Sequence, residues 1–195
     1  MVYGTDPFSA QNATNNDPNN APSVFGALPY PGSASSVDPP LHTRVTFRFT
    51  SFNPTILDCS VFGPNNETYY RVVTAGQALT LLKNGAGQNV ALIEWQSHPT
   101  VEAQAVGAKQ PVGKWLSLSP DRRVRGMIHS RVQYTWAPVD RFLLLFAPGS
   151  SEWLARVTKT YDAVLLELSA RAIELGLVDA AVLATVLLQS GRSIS

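Results

Sequence analysis

The chain has 195 residues, 45% of them hydrophobic, and a formal charge of +1, enough to bury one core and unlike the composition of a collagen or a coiled coil. Cys59 is the single cysteine and His42, His98 and His129 are dispersed, which excludes an internal disulfide and leaves no zinc-ligand spacing. A single folded domain without metal or cofactor is expected.

Residues 1–42 hold half of the fourteen prolines, with asparagine runs and serine and glycine clusters. They show neither helical nor strand period. Such a segment cannot offset its ordering entropy by burial, so a disordered tail is expected there, followed by one domain over residues 43–195. The N-terminus has no cationic start leading into an apolar run, so no export signal is read and the cytoplasm is the expected location.

From Arg44 short β-rich runs alternate with turn residues, the pattern of an all-β barrel or sandwich. Val45, Phe47 and Phe49 alternate with Thr46, Arg48 and Thr50, a half-buried strand. Ile56 to Phe62 and Thr68 to Val73 flank Gly63-Pro64-Asn65-Asn66, and Leu79 to Leu82 and Val90 to Trp95 flank Asn84-Gly85-Ala86-Gly87. Both read as hairpins. Val101 to Val106, Val124 to His129, Arg131 to Trp136 and Arg141 to Phe146 continue the meander, with Pro138 and Pro148 at its breaks. Trp153 to Val157 and Val164 to Leu168 close it, giving roughly ten strands in all.

Leu177 to Ser190 (LVDAAVLATVLLQS) is apolar on every face at helical spacing. A helix of that kind must be enclosed by protein or by lipid. These residues span roughly 21 Å at about 1.5 Å each, short of the roughly 30 Å of a bilayer core, and Asp179 interrupts one end. Protein is the expected enclosure, with no transmembrane segment. The fold class is therefore mainly β, an antiparallel barrel or strongly curved sheet around a C-terminal hydrophobic helix.

Ala91-Leu92-Ile93-Glu94-Trp95, Lys114-Trp115-Leu116, Arg123-Val124-Arg125-Gly126 and Tyr134-Thr135-Trp136, ending in the aliphatic helix, resemble a mushroom family of domains of unknown function over about Arg44 to Leu188. That family is similar to the tubby and scramblase-like barrels, which implies a strand meander wrapped around the helix. The size, single cysteine and mushroom-type sequence are also similar to mushroom ribosome-inactivating proteins. That resemblance implies an adenine N-glycosidase acting on large-subunit ribosomal RNA. No stretch aligns with the plant adenine glycosidases, so no site residue carries over from them.

Cleaving an adenine N-glycosidic bond passes through a ribose cation. A site needs a carboxylate near the sugar, a cation or acid for the departing base, and aromatic faces to hold the base. If Tyr70 and Val72 face the core, Tyr69 and Arg71 reach solvent together. If Ile93 and Trp95 pack inward, Glu94 points out. Tyr69 as stacking ring, Arg71 as the group polarising the base and Glu94 facing the ribose cation form the candidate catalytic set. The alternative for Arg71 and Glu94 is a cross-strand surface ion pair.

Lys109, Lys114, Arg122, Arg123, Arg125 and Arg131 form the strongest basic run, with Asp121 the one acid among them. Arginine forks suit phosphate oxygens, so RNA, or in a second hypothesis anionic lipid head groups or a protein partner, is the expected ligand, against a merely solvated turn. Trp95 and Trp136 alternate with apolar neighbours as core residues do, which leaves Trp115 as the base or lipid platform. Gly107 to Lys114 has one residue too many between its glycines for a phosphate-binding loop and Trp115 where a Ser or Thr belongs, so it reads as a loop. Cys59 reads as a small buried hydrophobe, and a monomer is expected.

Overall fold

A computed structural model describes residues 44–194. The segment expected to be a disordered tail lies outside the described residues. Seven strands come first: β1 (Arg44–Thr50), β2 (Cys59–Phe62), β3 (Thr68–Ala75), β4 (Leu79–Asn84), β5 (Asn89–Glu94), β6 (Thr100–Ala103) and β7 (Gly107–Pro111). A four-residue helix α1 (Val112–Trp115) leads to β8 (Leu116–Leu118), β9 (Arg125–His129), β10 (Val132–Val139), β11 (Phe142–Phe146), β12 (Trp153–Lys159) and β13 (Val164–Ser169). Helices α2 (Ala170–Glu174) and α3 (Val178–Gln189) end the chain.

All thirteen strands form one sheet in which each pairs with its sequence neighbours, except that β1 pairs with β13 and the break falls between β7 and β8. Thirteen strands make twelve antiparallel steps, so β7 and β8 point the same way and cannot continue the antiparallel ladder. The curved sheet stays unclosed. Helix α1 fills the seam with the buried Val112 and Trp115. Val112 N–H donates to Pro99 O at 2.8 Å, and the Trp115 indole N–H donates to Ile128 O at 2.8 Å. His129 Nδ1 lies 3.2 Å from Ala105 O, joining β9 to the β6–β7 turn.

Strand alternation sends Phe47, Phe49, Val61, Tyr70, Val72, Leu82, Ile93, Tyr134, Trp136, Leu145, Val157 and Leu166 inward. They meet α3, whose Ala180 to Leu187 are all buried. Fully burying an aliphatic side chain contributes about 1.5–3 kcal/mol, so Val182, Leu183, Val186 and Leu187 of the enclosed helix add several such contributions to those of the strands. No helix among the described residues is long and apolar enough to cross a membrane.

The mainly β architecture with a sheathed C-terminal helix matches the reading of the sequence, and the strand inventory differs in three places. β7, read as part of a loop, and the three-residue β8 are strands at the two sheet edges; β7 is almost wholly exposed and so has no alternation to read. Ile56 and Leu57 are buried but lie in the turn before β2. Pro138 sits inside β10 opposite Leu143 rather than at a break. β9 begins at Arg125 opposite Trp136, so beyond that point β10 has no β9 partner and a missing N–H costs nothing there.

Candidate functional site

The register separates the three residues expected to work together. Arg71 lies opposite Lys83, whereas Glu94 lies opposite Leu79, which in turn faces Ala75. Glu94 is thus four residues along and two strands across from Arg71, roughly 16 Å away at about 3.3 Å per residue and 4.8 Å per strand. Tyr69 is turned by a bulge where β2 pairs with β3, and its ring packs edge-on against the inward Phe47 at 5.2 Å and beside Tyr70 at 5.2 Å. It does not share a face with Arg71. Glu94 instead accepts from Lys109 Nζ at 2.6 Å and from the Thr100 hydroxyl at 3.1 Å. The Lys109 bond, helped by Thr100, holds the Glu94 carboxyl below its ordinary range.

The basic run is likewise divided. Lys109 is spent on Glu94. Arg122 and Arg123 occupy the β8–β9 turn, where Asp121 accepts from the Ser119 hydroxyl and from the Arg123 N–H, and these bonds lower the Asp121 carboxyl. Arg125 Nη1 donates to Leu116 O at 2.9 Å, and its partial burial lowers the guanidinium from its usual value. Arg131 sits in the turn at the far end of β9, about 17 Å from Arg125 at 3.4 Å per residue. Trp115, expected as a platform, is 1% exposed and offers no face to a ligand.

A denser constellation lies on the outer wall of β1, β13, β12 and β11. Cross-strand pairing sets Arg156 opposite Glu167, and Arg156 Nε donates to Glu167 Oε2 at 2.5 Å. The Arg156 guanidinium stands 5.0 Å from the Phe142 ring and 5.3 Å from the Trp153 ring. Arg44 covers Trp153 at 4.9 Å and Arg141 covers Phe142 at 5.1 Å. Three guanidinium groups are therefore interleaved with two half-buried rings around one carboxylate. This is the set of residue types that the glycosidase chemistry asks for, at positions the sequence reading did not single out. The available signal was the outward register of Arg44 on β1, Arg156 on β12 and Glu167 on β13, which requires knowing that β1 pairs with β13. By contrast, the open concavity over β5 and β6, lined by Asn89, Leu92, Glu102 and Gln104 among others, contains no aromatic ring.

Residues 52–193 match a family of unknown function, DUF6593. The chain belongs to this family. The match takes in the Arg156–Glu167 pair, Phe142 and Trp153, while Arg44 and Arg48 precede it. No curated protein matches the chain. A crystal structure of a protein from Arabidopsis thaliana is similar at 11% identity and a TM-score of 0.40, over 74% of this chain and 92% of that one.

Proposed function

We propose that this protein is a cytosolic ribosome-inactivating enzyme of the mushroom type, an N-glycosidase that removes an adenine from large-subunit ribosomal RNA. Its working centre in this proposal is Glu167 and Arg156 between the rings of Trp153 and Phe142. The observation that carries it is the Arg156–Glu167 pair flanked by both rings and by Arg44. An extruded base stacks on Trp153 or Phe142 by displacing Arg44 or Arg141, the guanidinium groups that cover those rings in the free protein. Arg156 stabilises the negative charge that develops on adenine as the ribose–N9 bond breaks and its electron pair leaves with the base. Glu167 accepts the arginine through Oε2, and its other oxygen faces the ribose cation and takes a proton from the water that adds to C1′. The departing adenine is protonated as it leaves, so water is consumed and a free base and an abasic ribose result.

The test is adenine release from intact ribosomes by wild type, Glu167→Gln, Arg156→Ala, Glu94→Gln and Arg71→Ala, each with its melting temperature. The expected result is loss in Glu167→Gln and Arg156→Ala and retention in Glu94→Gln, all folded. Wild type that releases no adenine at high concentration sinks the enzyme reading, and full activity in Glu167→Gln moves the centre elsewhere.

A second reading is a non-catalytic curved sheet that binds anionic lipid head groups. It is favoured by the half-buried, outward Leu144, Phe146 and Leu165 beside the arginines. It leads to binding of phosphatidylserine vesicles that weakens with salt, and to no action on ribosomes.

A further inference from the structure

We infer that the outer wall from β4 to β11 is a track for the phosphate backbone of single-stranded RNA, and that Arg71 and Lys83 form one of its phosphate sites. Arg71 and Lys83 face each other directly on adjacent strands. Both point outward, because their neighbours Tyr70, Val72 and Leu82 are buried. Like charges opposite one another destabilise a sheet. Here no hydrogen bond or ion pair to another described residue relieves them, whereas Lys109, Arg123, Arg156 and Arg171 each have a carboxylate. The Ser60 hydroxyl lies on the other side of Arg71 in the same row. Two uncompensated cations and a donor hydroxyl are what a bridging phosphate takes.

The pair is one end of a longer arrangement. Arg48 and Arg44 follow on β1, Arg156 on β12, and Arg141 immediately before β11. Within the strands from β4 to β11 through β1 the single outward carboxylate is Glu167, and Glu67, Asp140 and Glu152 lie in the turns beside them, as Arg141 does. Rings recur beside these cations: Phe62 under Arg48 at 5.7 Å, then Trp153 and Phe142. Lys83 and Arg156 are five strands apart and, by register, four residues apart along the strands, about 27 Å at 4.8 Å per strand and 3.3 Å per residue. Alternating guanidinium groups and aromatic faces suit a strand whose phosphates are held while its bases stack.

The direction of the track selects the ligand. It runs across the strands, around the convex outside of a sheet curled over α3. A flat bilayer touches a convex wall along a narrow line, while a flexible single strand follows the curve. The inference rests on the RNA reading above for its ligand class, but not on the glycosidase chemistry.

The experiment is binding of a fluorescent single-stranded RNA dodecamer to the full chain across a salt series. Each single-strand phosphate that is no longer held lowers the slope of log K against log salt by about 0.7. The Arg71→Ala, Lys83→Ala double variant gives up the one phosphate the pair holds, so it is expected to bind more weakly, with a slope shallower by about 0.7 and a melting temperature no lower than wild type. Lys83→Glu places a carboxylate opposite Arg71, so it is expected to raise the melting temperature while reducing RNA binding, which a purely structural role would not do. Unchanged affinity and slope in the double variant overturn the site. Binding of phosphatidylserine vesicles in place of RNA overturns the ligand. A wild type that shows this RNA slope yet releases no adenine from ribosomes supports the track and removes only the enzyme reading.

Discussion

The Tyr70 hydroxyl donates to Asp179 Oδ1, tying strand β3 to the first turn of the helix that the sheet encloses. Tyr70 is 3% exposed, and burial followed by the Asp179 bond pushes its phenol well above the ordinary range. The carboxylate also sits at the N-terminus of α3, where the peptide dipoles favour negative charge. The one acid that interrupts the apolar helix is thus the group that registers it in the sleeve.

Tyr70→Phe keeps the ring packing against Phe47 and removes only the donor. Hydrogen bonds to charged groups contribute about 1.5–3 kcal/mol, so unfolding free energy is expected to fall by that amount in a urea titration. Asp179→Asn retains an acceptor and should lose less. A Tyr70→Phe variant as stable as wild type would show that the bond does not fix the helix.

The helix interior makes a sharper demand. Leu187 is 1% exposed, and replacing a buried leucine by alanine removes transfer energy and leaves a cavity, together about 2–5 kcal/mol. Leu187→Ala is expected to lie in that range by chemical denaturation. Ile173 on α2 is 37% exposed, and Ile173→Ala should stay within about 0.5 kcal/mol, as surface changes do. Similar losses at both positions would contradict the enclosure of α3.

That enclosure was legible in the sequence because Leu177 to Ser190 is apolar at every helical angle, and the central strands were legible because buried and exposed residues alternate cleanly along them. The same logic explains the misses. β7 is an exposed edge strand with a lysine and a proline, and β8 pairs on one side through three residues, so neither has a periodic pattern. Trp115 is buried by α1, which closes a seam that exists only once all thirteen strands are counted. Tyr69 leaves the face of Arg71 because of a bulge, and Glu94 is distant from Arg71 because strand register slides them apart. The Arg156–Glu167 pair joins residues eleven positions apart across one hairpin, while Arg44 reaches it only through the pairing of the first strand with the last. Alternation fixes which face a side chain takes, but not which distant strand lies beside it.

Cys59 gives the fold an alkaline limit. Burial, with a smaller contribution from Asp58, pushes its thiol from 9.0 up to about 12. A folded value above the unfolded one means that the native state holds its proton more tightly. The resulting stability is complete below pH 9.0 and is lost as pH rises towards about 12. Within that window one proton contributes a slope of about 1.4 kcal/mol per pH unit. Tyr70 adds a loss of the same sign at higher pH. Cys59→Ala should flatten the fall in melting temperature above pH 9, and the wild-type thiol should react with a thiol reagent at neutral pH only after unfolding. An equally steep fall in Cys59→Ala would assign the alkaline limit to other groups.

The Arg156–Glu167 pair can serve chemistry only if the fold does not depend on it. Its side chains keep 29% and 19% of their exposure, which places it between a cross-strand surface pair and a buried one. Pairs of the first kind couple by on the order of 1 kcal/mol or less, while breaking a buried pair costs about 3–5 kcal/mol. A double-mutant cycle with Arg156→Ala and Glu167→Gln, followed by urea denaturation, is expected to return a coupling in the lower range. Each single variant should remain folded at 37 °C, with any loss of adenine release or RNA binding exceeding its loss of stability. A coupling in the upper range would make the pair an architectural tie between β12 and β13. Loss of activity in either variant would then report unfolding, and the working centre would have to be sought among other residues of the outer wall.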